Sequence, residues 1–265
     1  MNITFFIGLL MGFGAVIGGF LLEKGTLMSL LKLAPACIIF GGTFAIALVQ
    51  FPMSSIKMMP AALKLIIFNK KHNYTELIDK LCEIANKARK DGLLSLETEA
   101  EQVSDPFIKR GLGYIADGVD PDFLKKLLYN EIEAMENKYE LAAAVFEGMG
   151  GTAPTLGVLG TVLSMVTVLS NAGDNSNAMV KEIAGAFIAT MYGLGSANLL
   201  WLPIGGRIKN VTQGESAYME LIVEGLMAIQ AGEPSSRLRD RLVAKLDDQK
   251  ISKKSGAKKK GEAEE

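Results

Sequence analysis

Histidine is almost missing from this chain of 265 residues: there is one, His72. A single imidazole cannot make a two-histidine metal site, and no H-E-x-x-H helix can be written. His72 also lies outside the apolar runs described below, so a Ser-His pair inside them is excluded. Cysteine is scarce as well. Cys37 falls in an apolar run and Cys82 in a charged segment, so no disulfide is expected. The phosphate loop G-x-x-x-x-G-K-[ST] does not occur. Gly12-Phe-Gly14 resembles the start of a dinucleotide fingerprint, but the third glycine, Gly18, comes one place late and no strand precedes it. With no catalytic set left, the chain is read as not an enzyme, without metal or cofactor.

Charge is missing in long stretches. Residues 3–22, 33–56, 148–173 and 183–206 contain no Asp, Glu, Lys or Arg, although 22% of the chain is charged. Crossing the hydrocarbon core of a bilayer takes about 20 residues of helix, so each run can span. The expected fold is an all-α membrane protein with four transmembrane helices and a large helical cytoplasmic insertion between helices 2 and 3. The expected divisions are spans one and two at 1–56, a cytoplasmic helical domain at 57–147, and spans three and four at 148–206. A cytoplasmic helical segment follows at 207–251, then a disordered charged tail at 252–265. Of the 28 Lys and Arg, 13 lie in residues 52–147 and 12 in 206–265. Positive charge marks the cytoplasmic side, so both termini are expected inside, with short outer loops at 23–32 and 174–181. The first run lacks a basic start and an A-x-A site, and is read as a retained helix and not a signal peptide.

The third and fourth runs are crowded with small residues. Gly150, Pro154, Gly157, Thr161 and Ser164 alternate at spacings of four and three, which places them on one helical face. Gly185, Ala189, Gly193 and Ala197 form a matching ladder in the fourth. Small side chains let membrane helices approach closely, so both runs should pack tightly against protein. The hydroxyls of Thr161, Ser164 and Thr190 allow two readings. A threonine oxygen can contact a cation or water, or it can bond the carbonyl four residues back. The residues alone leave both open. Pro154 and Pro203 each free a backbone carbonyl near the cytoplasmic end of its run. No charged group lies in any run, so the chain by itself lacks the usual carrier of a proton relay.

The insertion reads as helices. Asn73 with Glu76 resembles a capping box, followed by an apolar face of Tyr74, Leu77, Ile78, Leu81, Ile84, Ala85 and Ala88 that ends at Gly92. Ser95 is expected to cap a short helix with Glu97, Glu99 and Glu101. Asp105-Pro106 and Asp120-Pro121 are two further helix starts. From Pro121, the residues Phe123, Leu124, Leu127, Leu128, Ile132, Met135 and Tyr139 mark a face that runs on into the third span. Beyond the fourth, Met219, Ile222, Leu226 and Ile229 mark one face of an amphipathic segment, and Pro234 begins a short helix ending near Lys250.

Glu147-Gly-Met-Gly-Gly-Thr-Ala-Pro154-Thr-Leu-Gly-Val-Leu-Gly-Thr161, with Ile188-Ala-Thr190-Met-Tyr-Gly193 through Pro203, resembles the MotA/PomA family of flagellar stator A subunits. Arg89-Lys-Asp-Gly-Leu-Leu-Ser-Leu-Glu97 and the two-plus-two layout of spans extend the likeness over nearly the whole chain. The resemblance implies a ring of A subunits, a pentamer in that family, around a dimer of B subunits. Each B subunit supplies a membrane helix with an essential aspartate. It implies an ion path at Thr161 and Thr190, and conformational coupling at Pro154 and Pro203. It also implies contact with the rotor switch-complex protein through Arg89 and Glu97, with Lys90 and Glu99 beside them. Thr98 stands where some relatives carry an acid. Threonine at both ion-path positions leans toward sodium over the proton as the driving cation, which would be cargo and not a cofactor. The implied place is the bacterial inner membrane, with no nucleic acid as partner. The nearest alternative is a TolQ/ExbB-type ion-driven energiser of an envelope complex. Those proteins typically have three spans and begin outside, unlike the layout read here.

Overall fold

The computed structural model describes residues 3–69, 72–170 and 176–246. The low-complexity tail, the expected helix end near Lys250 and residues 174 and 175 lie outside these, whereas the rest of the outer loop expected at 174–181 is helical, because the helix Ser176–Ser196 already begins there. Among the described residues every regular element is helical. Four helices are long and apolar enough to cross a membrane: Ile3–Leu22, Leu33–Gln50, Pro121–Ser170 and Glu182–Gln230.

Two compact units form, each from two separated segments: residues 1–70 with 137–211, and residues 71–136 with 212–265. These divisions fall outside the apolar runs. The reason is packing. Ala62 and Ile66 on the helix Met53–Phe68 share one core with Ala143, Phe146, Met149, Trp201, Ile204 and Ile208. Apolar contact therefore continues past the point where charge first returns to the sequence.

The first unit contains two widened helical turns that the apolar pattern does not announce. Cys37–Gly41 in the second span and Ala197–Trp201 in the fourth are π-helical. In the latter, the N–H of Leu202 reaches back five residues to the carbonyl of Ala197. Pro203 follows directly. Its ring would collide with the carbonyl four residues back in a regular helix, and a wide turn relieves that collision. The first span is different: none of its residues is buried by the chain. Of its glycines only Gly12 faces a neighbour, Leu199.

The second unit is an ordinary helical core. Asn73 accepts from the N–H of Glu76 at 3.3 Å and its amide donates back to the Glu76 carboxylate at 3.2 Å. Leu77, Ile78, Leu81, Ile84, Ala85 and Ala88 are all buried, as the 3.6-residue period requires. Asp120 accepts from the N–H of Phe123 at 3.0 Å. Phe123 itself is 61% exposed and does not join the apolar face on which it was placed, because helical rotation turns it about 100° from Leu124 and about 140° from Leu128. Residues 212–230 are also more enclosed than one apolar stripe suggests. Leu221, Ile222, Val223, Leu226, Ala228 and Ile229 are all buried, and Gly225 leaves room for Leu81. Tyr218 stacks on His72 with ring centroids 3.8 Å apart, and His72 pairs with Glu215 at 2.8 Å. Burial, with Asp105 and Glu215 nearby, pushes the Tyr218 hydroxyl up to about 12, so it stays protonated.

Asp105 offers a direct test of the capping logic. Its carboxylate accepts from the N–H groups of Phe107 at 2.8 Å and Ile108 at 3.3 Å. Asp105→Ala removes both partners and should cost about 1 kcal/mol. Amide hydrogen exchange across Pro106–Ala116 should quicken accordingly. Unchanged exchange there would mean that the cap adds nothing to this helix.

Candidate functional site

The third and fourth spans meet through their small residues. Gly157 lies so close to the fourth span that a Cβ on it would sit 3.3 Å from the backbone of Ala189, Thr190 and Gly193. A Cβ on Gly193 would come within 2.6 Å of the Ala153 carbonyl oxygen and 3.0 Å of the Gly157 Cα. Gly160 faces Ala189 in the same way. The two stripes expected from spacing therefore pack on each other. Gly185 is the exception in the ladder, with nothing from the chain within 4 Å of the position of its Cβ.

Most hydroxyls along the third span follow one habit; Thr155 instead donates three residues back, to the Thr152 carbonyl at 2.7 Å, and Thr161 reaches the neighbouring span. Thr152, Ser164, Thr167 and Ser170 each donate to the carbonyl four residues back, at 3.0, 2.9, 3.2 and 2.9 Å. Thr161 also reaches its own carbonyl, that of Gly157, at 3.0 Å. But its oxygen also lies 2.5 Å from the hydroxyl oxygen of Thr190 and 3.1 Å from the carbonyl oxygen of Ala186, both on the other span. A hydroxyl has one proton and two lone pairs. The contacts are satisfied together when Thr190 donates to Thr161 and Thr161 donates onward to one of the two carbonyls. Four oxygens thus cluster between helices that carry no charge at this level. Such a cluster can replace part of the water shell of a small cation, or hold water.

Toward the other end of the same helix pair stand the two prolines. Pro154 has no N–H to offer the carbonyl of Gly150, one turn back inside the helix Pro121–Ser170. Gly150 in turn packs against Leu202, the residue before Pro203. Pro203 is exposed and Pro154 half-buried. Glu147 and Lys209 pair at 2.7 Å nearby, with Gly205 against the stem of Glu147. Sequence reasoning assigned this ion pair no role, since 62 residues separate its members. It also missed Tyr192. The Tyr192 hydroxyl donates to the carbonyl of Leu30 at 2.5 Å and accepts from the N–H of Lys32 at 3.3 Å. It fastens the segment before the second span to the fourth.

The charged residues of the second unit flank a sharp turn. Arg89 and Lys90 end the helix Tyr74–Asp91, Gly92 adopts φ 82°, and a short 3-10 turn leads to the helix Leu96–Gln102. Ser95 does not cap that helix. Its hydroxyl donates to the carbonyl of Gly92 at 2.6 Å, and its backbone is already helical. Arg89, Lys90 and Glu97 are exposed and enter no ion pair or hydrogen bond among the described residues. Glu99 differs: it is 5% exposed and accepts from the Lys87 ammonium at 2.5 Å. That hydrogen bond is the main reason the Lys87 ammonium is held above the ordinary lysine value. The Glu99 carboxylate is therefore already engaged within the chain.

Comparison with known proteins places this geometry. Residues 6–92 match the motility protein A N-terminal family, and residues 99–221 match the MotA/TolQ/ExbB proton channel family. Motility protein A of Bacillus subtilis is 33% identical over 247 residues, 93% of this chain and 91% of that protein. Motility protein A of Helicobacter pylori is 32% identical over 92% of this chain and 94% of its own. Among solved structures, the flagellar MotAB stator complex from Bacillus subtilis matches with a TM-score of 0.85 at 33% identity, covering 94% of this chain and 97% of that one. The C. jejuni MotAB structure matches at 0.87 and 26% identity, covering 92% and 96%. Four span-length helices, a close crossing lined by hydroxyls and agreement with these relatives over more than nine-tenths of the chain lead to one assignment: the chain belongs to the motility protein A family.

Proposed function

We propose that this chain is the A subunit of a flagellar stator and conducts a cation inward together with a B subunit, coupling that flow to torque on the rotor. The observation that carries the reading is the Thr161–Thr190 hydroxyl pair at a glycine crossing between two charge-free spans. The pair supplies oxygens and no titratable group. A conducting path through it therefore needs a carboxylate from another chain, which fits a B subunit with an aspartate on its membrane helix. The related solved structures, both of MotAB, support such a partner and an oligomeric assembly. In this reading the protein lies in the bacterial inner membrane with both termini in the cytoplasm. Pro154 and Pro203 couple ion passage to movement of the helix pair. Arg89, Lys90 and Glu97 face the rotor switch protein. Glu99 is left out of that surface, because Lys87 already neutralises its buried carboxylate.

Sodium is the favoured cation. The Thr161 and Thr190 oxygens satisfy each other in the structure, so ion contact requires the pair to part, and two hydroxyls beside the Gly157 and Ala186 carbonyls then suit a partly dehydrated alkali ion. The test is the swimming speed of cells that depend on this subunit and its B partner, with external sodium varied at constant proton-motive force. Speed should rise with sodium and saturate, and Thr161→Val should shift the sodium needed for half-maximal speed upward. Speed indifferent to sodium but abolished by a protonophore would assign the path to protons and leave the hydroxyls to water or packing.

A further inference from the structure

Among the described residues, the large apolar side chains exposed on the second unit are few: Leu93, Leu94, Phe123 and Val243. Phe123 and Val243 occur singly. Leu93 and Leu94 are adjacent, at the turn between Arg89-Lys90 and Glu97, and Leu94 is the most exposed of the four at 78%. The turn cannot tuck it away. Gly92 holds a φ of 82° with ψ of 165°, a conformation that other residues avoid, and Ser95 bonds the Gly92 carbonyl through both its N–H, at 3.2 Å, and its hydroxyl. On the far side Leu96 is fully buried and anchors the chain to the core. Leu94 is thus presented on a fixed loop, flanked by charges of both signs, Arg89, Lys90 and Glu97, that have no partner among the described residues.

We propose that Leu94 is the apolar anchor of the rotor contact, seated in an apolar pocket of the rotor protein. Leu93 lies at the edge of that pocket. The rim is acidic on the rotor where it meets Arg89 and Lys90, and basic where it meets Glu97. This rests on the assignment of the charged turn to the rotor. Interfaces of this kind concentrate affinity in a few desolvated side chains, while exposed charges around them set orientation and approach. A rigid presenting loop lowers the cost of ordering on contact. Charges alone on a solvated turn would give a weak and salt-sensitive contact. An apolar centre explains how a contact bearing load could persist.

The experiment uses the complete A–B complex in detergent and the purified rotor protein. Leu94→Ser should weaken binding by about tenfold or more, whereas Leu94→Met should bind close to the parent. The serine variant should fold normally, since the side chain touches little of its own chain. A photo-crosslinking residue at position 94 or at position 97 should capture the rotor protein in swimming cells. If Leu94→Ser binds like the parent while Arg89→Glu weakens binding and position 97 still crosslinks, the anchor is overturned and the rotor-facing assignment stands. If neither substitution changes binding and neither position crosslinks, the rotor-facing assignment falls together with the anchor.

Discussion

Gly193→Ala should abolish swimming and lower the melting temperature of the purified complex by roughly 10 °C, the shift expected from about 3 kcal/mol in a chain of this size. One methyl group has this effect because of what it would meet. The new Cβ would lie 2.6 Å from the Ala153 carbonyl oxygen, 3.0 Å from the Gly157 Cα and 3.2 Å from the Gly157 nitrogen. All three are backbone atoms of the facing helix. No rotamer change can relieve them, so the third and fourth spans must separate. That separation also pulls Thr190 away from Thr161, whose oxygens are 2.5 Å apart in the native crossing. Gly185→Ala is the control, because nothing in the chain lies within 4 Å of its Cβ position. It should leave the melting temperature unchanged. A Gly193→Ala protein that swims at full speed would show that the close crossing is not required for torque.

Pro154→Ala should give a different result: a protein at least as stable as the parent that hardly swims. Alanine restores an N–H for the Gly150 carbonyl and removes a clash inside the long helix Pro121–Ser170. Proline in a helix interior is about 3 kcal/mol less favourable than alanine, so stability should hold or rise. Motility should still collapse if the interrupted hydrogen bond is what allows the helix to flex or present a carbonyl during ion passage. Melting temperature and swimming speed, read on the same variant, separate the two roles. Normal swimming with raised stability would make Pro154 a tolerated defect with no mechanical part.

Much of this was legible in the residues, for reasons that also mark where legibility ends. Charge-free runs long enough to span announce themselves, because hydrocarbon tolerates little else. The spacing of Gly157 and Gly193 showed which faces were small, though the meeting of Thr161 with Thr190 depends on the register of one helix against the other. The helix starts at Asn73, Asp105 and Asp120 were readable because capping is local chemistry. Glu99 was not. Its neighbours Glu97 and Glu101 suggest a solvated face, and its partner Lys87 stands on the preceding helix. Ser95 carried a cap's side chain but spends its hydroxyl on Gly92. The widened turns at Cys37–Gly41 and Ala197–Trp201 escaped because one extra residue per turn leaves composition and hydropathy almost unchanged.

The second unit is built from two stretches of chain separated by both the third and fourth spans, and this orders events at the ribosome. Leu77, Leu81, Leu112 and Leu128 emerge early, yet the core they join also needs Leu221, Leu226, Leu238 and Leu242. At ordinary elongation rates the interval between residues 136 and 212 lasts roughly 4 to 15 s. For that time the early helices offer an unpaired apolar face to water. The protein must complete its last two spans before it can close the core of its second unit, so a stall in membrane insertion becomes a hazard of aggregation or proteolysis for the part already made.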